Sequence, residues 1–214
     1  MINWKRGAIM KLSDYIDNLR NKKVAVIGIG VSNRPLLRLL LEKGCRVTAC
    51  DRAGRETLGS AAEELESLGA VLKLGPDYLK GLDADVIFRT PGMHPDTPEL
   101  AAARASGCTV TSEMEAFFQV CPCRMIAVTG SDGKTTTTSI IAELLRRGGY
   151  TVHVGGNIGT PLLCEADRMN PEDIAVLELS SFQLMTMNQS PAVAVVTNVA
   201  PNHLDVHRDM DEYV

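Results

Sequence analysis

Short runs of β-branched and other apolar residues alternate along this chain with longer stretches in which apolar positions recur at helical spacing. In the first half, the predicted strands are residues 23–27, 46–50, 70–74, 85–88 and 109–111. The predicted helices between them are residues 35–43, 60–68 and 97–106. This alternation is typical of βαβ units, so we expect an α/β fold with a Rossmann-like, doubly wound parallel sheet.

A second series of the same kind follows the turn at residues 121–123. Its predicted strands are residues 125–129, 151–154, 174–179 and 192–197, and its predicted helices are residues 134–147 and 161–169. We therefore place one domain in residues 1–121 and the first part of a second α/β domain in residues 122–214. Residues 209–214 have the composition of a helix start, which predicts that the second domain is truncated.

Composition narrows the functional classes. Charged residues make up 22% of the chain and the net charge is −4, so we expect no binding to nucleic acid or to an anionic membrane. Lys11 and Asp14 interrupt the N-terminal apolar stretch before an export signal forms, and no run approaches the about 18 apolar residues of a membrane span. The six cysteines are scattered, and Cys121 and Cys123 lack the spacing of a zinc site. These features predict a cytoplasmic protein.

The sharpest local signal is the loop at residues 129–136, Thr-Gly-Ser-Asp-Gly-Lys-Thr-Thr, between a predicted strand and a predicted helix. Glycines let backbone N–H groups turn towards phosphate oxygens, and the helix start adds partial positive charge. We expect Lys134 to reach the β- and γ-phosphates of ATP and the Thr135 hydroxyl to ligate Mg²⁺. The alternative is an ordinary glycine-containing turn. The predicted ATP-binding residues are Gly130, Ser131, Asp132, Gly133, Lys134, Thr135 and Thr136.

Two further strand ends carry groups that could hold a metal ion. Glu178 ends an apolar strand beside the mouth of the phosphate loop, where a Mg²⁺ ligand is needed, although a solvated strand-end glutamate is the alternative. His203 lies in a polar turn after the last predicted strand and offers an imidazole to a two-metal site, although a loop histidine is often incidental.

The first domain carries part of a dinucleotide-binding pattern. Gly28 and Gly30 allow a diphosphate to approach a helix start, whereas Asn33 occupies the third glycine position and weakens the case for NAD. Asp51 ends the next predicted strand, where an acidic group can contact a ribose or a base edge. A NAD-dependent dehydrogenase therefore remains an alternative that rests only on the two glycines.

The loop at residues 129–136 resembles the compact phosphate loop of the Mur ligase and folylpolyglutamate synthetase superfamily, with Asp132 in place of the common asparagine. The segment at residues 178–184, Glu-Leu-Ser-Ser-Phe-Gln-Leu, is similar to a signature of the Mur ligases that add D-glutamate. Asn202 stands where many relatives have an acidic residue. The resemblance covers residues 24–214.

The resemblance implies roles for individual residues. It makes Lys134, Glu178 and His203 catalytic, and it makes Thr135, Glu178 and His203 ligands of Mg²⁺. It also implies that a domain at residues 1–121 holds the UDP part of the substrate, while a carbamylated lysine of the family lies beyond Val214. The implied substrate-binding residues are Gly30, Ser32, Asp51, Arg52, Thr90, Pro91, Gly92, Asn157 and Ser180.

The implied activity is the ATP-dependent ligation of D-glutamate to UDP-N-acetylmuramoyl-L-alanine through an acyl phosphate, with ATP and Mg²⁺ as cofactors, in peptidoglycan precursor synthesis. We expect a monomer, and we expect residues 1–214 alone to be inactive because the family enzymes are roughly twice as long. Two alternatives remain: another amide ligase of the Mur and folylpolyglutamate synthetase type, and a nucleotide-binding module without catalysis.

Overall fold

The computed structural model describes residues 10–204 and 206–214. In the first half, the segments that form regular structure are α1 (Leu12–Arg20), β1 (Lys23–Ile27), α2 (Arg34–Glu42), β2 (Arg46–Asp51), α3 (Arg55–Leu58), α4 (Ser60–Ser67), β3 (Val71–Leu74), β4 (Val86–Phe88), α5 (Pro98–Ala105), β5 (Thr109–Thr111) and α6 (Glu113–Val120). The N-terminal residues 1–9, which bear on the prediction that an export signal is absent, lie outside the described residues, as does Asp205.

The five strands of the first half form one parallel sheet in the order β3-β2-β1-β4-β5. The strand order reverses between β1 and β4, and the carboxyl ends of these strands therefore flank a crevice. This topology confirms the predicted doubly wound sheet. All predicted strands and helices of this half are present, with bounds that differ by at most two residues.

In the second half, the elements are β6 (Arg124–Thr129), α7 (Lys134–Arg147), β7 (Val152–Gly156), a 3₁₀ helix (Leu163–Arg168), β8 (Ile174–Glu178), α8 (Ser181–Leu184), β9 (Val193–Val196) and α9 (Met210–Tyr213). Four strands form a second parallel sheet in the order β7-β8-β6-β9. The phosphate-loop strand β6 is therefore flanked by β8, which ends at Glu178, and by β9.

One predicted element was wrong in type. Residues 161–169 were expected to form an α-helix, whereas Leu163–Arg168 is a 3₁₀ helix. Leu163, Ala166 and Met169 are buried at a spacing of three residues, which matches three residues per turn better than the α-helical repeat.

Helices α1, α3, α6 and α8 were not predicted. Helix α6 carries apolar residues on almost every side, so it lacks the alternation from which helices are recognised. Its Phe117 is fully buried, and it belongs to a hydrophobic cluster that includes Leu37 of the first sheet's helices as well as Met125 and Leu177 of the second sheet. The two sheets are therefore packed through one shared core. None of the helices within the described residues is long and apolar enough to cross a bilayer.

Candidate functional site

The loop between β6 and α7 has the geometry of a phosphate-binding turn. Gly130 has a φ of 131°, and a Cβ atom there would collide with the Thr197 hydroxyl and lie 2.8 Å from the Asn198 carbonyl oxygen. Gly133 adopts the left-handed conformation directly before α7. Both glycines are therefore required by the backbone, as the sequence pattern predicted.

Residues that follow β9 hold this loop in place. The Ser131 hydroxyl is buried, donates to the Ala200 carbonyl at 2.7 Å and lies 2.8 Å from the Tyr213 hydroxyl. The backbone N–H groups of Ser131 and Asp132 donate to the carbonyl and side-chain oxygens of Asn198, at 3.0 and 2.9 Å. The donors that remain for a phosphate are the first N–H groups of α7, which have no partner within the helix.

Lys134 lies over the loop. Its Nζ donates to the carbonyl oxygens of Gly130 at 2.7 Å and of Ser131 at 2.9 Å. The ammonium group and the α7 N-terminus therefore place positive charge at one position. Thr135 and Thr136 follow in the first turn of α7 and are exposed.

The buried carboxylate of Glu178 connects the phosphate loop to a second loop. It accepts a hydrogen bond from the Thr135 hydroxyl at 2.7 Å and another from the Asn157 side-chain amide at 3.0 Å. Glu178 is only 2% exposed, and within the described residues its carboxylate forms no ion pair. A buried anion with only neutral donors favours a cation nearby.

His203 lies close to another predicted segment. Its backbone has a φ of 54°, and its ring packs against Phe182 with a centroid distance of 5.0 Å. No hydrogen bond or ion pair joins its described atoms to Thr135 or Glu178. The structure thus brings together two of the three predicted metal ligands and places the third beside Phe182.

His207 was not predicted as a site residue. It is buried, its Nε2 atom lies 2.8 Å from the Ser181 hydroxyl, and its ring stacks on Phe182 at 5.2 Å. Phe182 therefore lies against both His203 and His207. A cavity of about 220 Å³ borders this region and the phosphate loop, and its walls include Gly130, Ser181, Asn198 and Tyr213.

A cleft of about 200 Å³ lies between the two halves of the chain. Its walls are formed by Val31, Ser32, Asn33, Pro91, Glu113, Met114, Gly156, Asn157, Ile158, Gly159, Pro161 and Gln183. Ser32, Pro91 and Asn157 were predicted as substrate-binding residues, and the fold brings them to the same cleft from three separate loops. Glu113 and Gln183 were not predicted.

Five of the other predicted substrate-binding residues lie on loops and a strand end of the first half: Gly30, Asp51, Arg52, Thr90 and Gly92. Asp51 ends β2, and its carboxylate accepts from the N–H groups of Ile29 at 2.6 Å and Ala53 at 2.8 Å. It therefore joins the glycine turn after β1 to the end of β2. The described cleft walls do not include Gly30, Asp51, Arg52, Thr90, Gly92 or Ser180.

The Ser180 hydroxyl has a structural partner. It accepts from the Gln183 N–H, while the Gln183 side chain accepts from the Ser180 N–H, which forms a capping box at the start of α8. This arrangement holds Gln183 at the cleft wall.

Glu113 begins α6 and accepts from the Leu163 N–H at 2.8 Å. Burial raises the pKa of this carboxyl to about 7, although the hydrogen bond from Leu163 acts in the opposite direction. The residues around Glu113 come from both halves of the chain, since Leu163 and Asn157 of the second half lie beside it at the cleft. No sequence signal marks this residue.

His94, Asp96 and Glu212 form a cluster that links the loop after β4 to α9. The His94 Nε2 atom lies 3.5 Å from a Glu212 oxygen, and Arg208 forms ion pairs with both Asp96 and Glu212. Since arginines already balance the two carboxylates, the cluster is an ion-pair network between the halves.

This chain is similar to several curated proteins and to one protein family. The Mur ligase middle domain family matches residues 128–214. The UDP-N-acetylmuramoylalanine–D-glutamate ligase of Clostridium botulinum (strain Okra) is 55% identical over 203 residues, which cover 94% of this chain and 44% of that protein. The ligase of the same name from Ruminiclostridium cellulolyticum is 53% identical over 205 residues, with 95% and 44% covered. The chain thus spans less than half the length of these relatives.

A solved structure shares the fold. UDP-N-acetylmuramate-alanine ligase from Thermotoga maritima superposes with a TM-score of 0.51 at 22% identity, over 90% of this chain and 45% of that one. Residues 128–214 match the Mur ligase middle domain family, and nearly all of this chain is similar to curated ligases.

Proposed function

We propose that the protein containing this chain joins D-glutamate to UDP-N-acetylmuramoyl-L-alanine in an ATP-dependent step of peptidoglycan precursor synthesis. The observation that carries the proposal is the buried Glu178 carboxylate, which is held by Thr135 of the phosphate loop and by Asn157 of the cleft wall. One acidic group therefore connects the loop that we assign to the nucleotide with the cleft that we assign to the substrate. The names of the relatives at 53–55% identity support this choice of substrates.

The residues present fit Mg²⁺. The Thr135 hydroxyl and the Glu178 carboxylate are hard oxygen donors, and the carboxylate is buried without a cationic partner among the described residues. Thr135 and Glu178 would hold the ion, with His203 as a proposed third ligand. When bound, Mg²⁺ supplies positive charge that offsets the charge of the phosphates.

In the first step, a carboxylate oxygen of the substrate's alanine attacks the γ-phosphorus of ATP. The new O–P bond gives an acyl phosphate, while the bond to the β-phosphate oxygen breaks and ADP leaves. In the second step, the amine of D-glutamate attacks the acyl carbon, inorganic phosphate leaves with the electron pair of the C–O bond, and the nitrogen loses a proton to solvent.

The chain's own groups stabilise the first step. Lys134 and the N-terminus of α7 place positive charge where the transferred phosphoryl group would lie, and this charge acts most strongly where water is excluded. We assign the remaining phosphate contacts to Gly130, Ser131, Asp132, Gly133 and Thr136. Ser131 contributes mainly by holding the loop, since its hydroxyl is occupied by Ala200.

We assign UDP-sugar binding to the first sheet and the cleft. Asp51 and Arg52 would contact the uridine, while the turns at Gly30, Ser32 and Thr90-Pro91-Gly92 would approach the diphosphate and sugar. Asn157 would contact the same ligand from the second half, and Ser180 would act by holding Gln183. We further propose a domain boundary at residue 121, a cytoplasmic location and a monomeric protein.

The decisive test measures phosphate release from ATP by the full-length protein that contains this chain. D-glutamate, L-glutamate, L-lysine and no amino acid are compared in the presence of UDP-N-acetylmuramoyl-L-alanine. We expect release only with D-glutamate. A different productive pair would keep the ligase class and change the substrate, whereas no release with any pair would favour a non-catalytic binding module. Residues 1–214 alone should bind substrate without turnover.

Replacing Glu178 tests the residue that carries the proposal. Glu178→Gln keeps an oxygen and a similar shape but removes the charge, so we expect ligase activity to fall by about 100-fold or more. Glu165→Gln is the matched control, because Glu165 pairs with Arg168 on the surface. Unchanged activity in Glu178→Gln would contradict the proposed metal site.

A further inference from the structure

Arg89 is a buried cation at the boundary between the two halves of the chain. It directly follows β4 and precedes the turn Thr90-Pro91-Gly92, and it is only 1% exposed. Its backbone N–H donates to Thr111 of β5 at 2.8 Å, so its position in the first sheet is fixed. No step of the proposed reaction uses this residue.

The guanidinium group reaches both halves at once. On one side, its NH1 donates to the carbonyl oxygens of Pro91 and Met93, both at 3.1 Å. On the other side, its NH2 donates to the Phe182 carbonyl at 2.9 Å and to the Thr186 hydroxyl at 2.8 Å. A planar fork of donors can hold four oxygens in this way, whereas a lysine ammonium has only three donors and no plane.

Stability alone does not account for a cation at this position. All four acceptors are neutral, and the Nε atom is buried without a hydrogen bond. Burial lowers the pKa of Arg89, since nearby Glu115 does not fully offset the loss of water. Apolar side chains of similar volume often replace buried charges at no loss of stability. The four directed hydrogen bonds instead fix the positions of the two segments that they join.

Those two segments are walls of the cleft. Pro91, whose carbonyl binds NH1, lines the cleft from the first half, and Gln183, which follows Phe182, lines it from the second half. The capping box fixes Gln183 relative to Ser180, so that a hydrogen bond at Phe182 positions the whole start of α8.

We infer that Arg89 is a positioning residue that sets the spacing between the two walls of the substrate cleft, and thereby the affinity for the UDP-sugar substrate. The identity of that ligand rests on the proposed function. None of the described hydrogen bonds of Arg89 reaches the phosphate loop. Nucleotide binding should therefore not depend on Arg89.

The test compares Arg89→Lys with the wild-type chain by isothermal titration calorimetry. We expect the Kd for UDP-N-acetylmuramoyl-L-alanine to rise at least tenfold, while the Kd for ATP with Mg²⁺ changes by less than twofold. Arg38→Lys is the matched control, because Arg38 pairs with Glu64 on the surface. The inference would be overturned if Arg89→Lys weakened the binding of both ligands equally, or if it weakened the binding of neither.

Hydrogen exchange provides a readout that needs no ligand. In Arg89→Lys, amides in residues 90–97 and 182–187 should exchange faster, while those of β6 and α2 should keep wild-type protection. If the wild-type chain fails to bind the UDP substrate, the proposed function fails, and the exchange pattern still decides whether Arg89 positions the walls. Uniformly faster exchange would assign Arg89 to stability alone.

A milder variant covers the case in which Arg89→Lys does not fold. Thr186→Val keeps the side-chain shape but removes one of the four acceptors, so we expect the same selective loss of UDP-substrate affinity at a smaller magnitude, about threefold. Wild-type affinity in Thr186→Val would also overturn the inference.

Discussion

At Gly130, the phosphate loop depends on the absence of a side chain. The residue combines a φ of 131° with close contacts to Thr197 and Asn198. Gly130→Ala should lower the free energy of unfolding by about 2–4 kcal/mol, because strain and collision add together. Urea unfolding measures this difference.

Gly75→Ala is the control variant for Gly130→Ala. Gly75 also has a positive φ, of 89°, but a Cβ atom there would meet nothing within 4 Å. Gly75→Ala should therefore cost only about 1 kcal/mol from backbone strain. Equal losses for the two variants would show that the contacts with Thr197 and Asn198 are unimportant.

Glu113 makes stability depend on pH. Because its folded pKa of about 7 lies above the value of an exposed carboxyl, the unfolded chain ionises first as the pH rises. The folded protein therefore loses stability between about pH 4.5 and pH 7. Glu113→Gln still accepts from Leu163, and it should be more stable than the wild type by roughly 1–3 kcal/mol at pH 8.

Thermal or urea unfolding at pH 4.5 and pH 8 checks this prediction. At pH 4.5 the two proteins should have similar stability, since Glu113 is then neutral in the folded state. Exposed Glu165→Gln provides the control and should show little difference at either pH. If Glu113→Gln were more stable than the wild type by the same amount at both pH values, ionisation of the carboxyl could not be the cause.

Single residues differ in how well their positions and contacts can be predicted from the neighbouring sequence. The positions of Lys134 and Glu178 in the fold could be predicted because a loop and a strand end have fixed places in a parallel sheet. The surroundings of Arg89, Glu113 and His207 could not be predicted, because they depend on segments distant in the chain. For the same reason, the contact of His203 with Phe182 was not foreseen.

Among the elements, α8 is a single turn stabilised by its capping box. Ser180→Ala removes the hydroxyl acceptor for the Gln183 N–H, so we expect a loss of about 1 kcal/mol in the free energy of unfolding. Urea titration followed by circular dichroism measures this loss.

Ser139 of α7 offers a control of the same chemistry. It lies inside the helix, is exposed, and donates to the Thr135 carbonyl. Ser139→Ala should leave stability unchanged or slightly raised, because alanine has the higher helix propensity. The prediction for Ser180 would be wrong if both alanine variants had the same stability.

Most elements could be predicted because their apolar spacing matches their geometry. The strands β1 and β5 and helix α7 have the predicted bounds. Helix α6 has too few polar residues for its apolar spacing to be recognised. Helices α3 and α8 have only 4 residues each, which is too few for the helical spacing to repeat. The periodicity of apolar residues therefore does not predict elements whose form is decided by packing.

The whole molecule should unfold as one unit, because a single apolar cluster joins both sheets. Phe117→Leu in α6 removes part of a fully buried ring and should lower stability by about 1–2 kcal/mol. Hydrogen exchange of β1 and β6 should then show the same loss of protection. Leu144→Ala, on the exposed face of α7, is the control and should change little.

Loss of protection confined to the first sheet would contradict this expectation. It would show that the two sheets have separable stabilities despite the contacts of α6. The shared core was not predictable from the sequence, because the two series of strands and helices are separated by a turn that reads as a domain boundary.

Asn198 holds the phosphate loop through two hydrogen bonds, and we expect these bonds to affect the kinetics of nucleotide binding as well. A glycine-containing loop samples many conformations when it is unrestrained. A nucleotide would then bind only to the small fraction of molecules whose loop has the binding conformation. Here the loop is already ordered by the chain that follows β9, so its conformational entropy is lost during folding. We therefore expect encounters with a nucleotide to be productive at a rate set by diffusion and orientation.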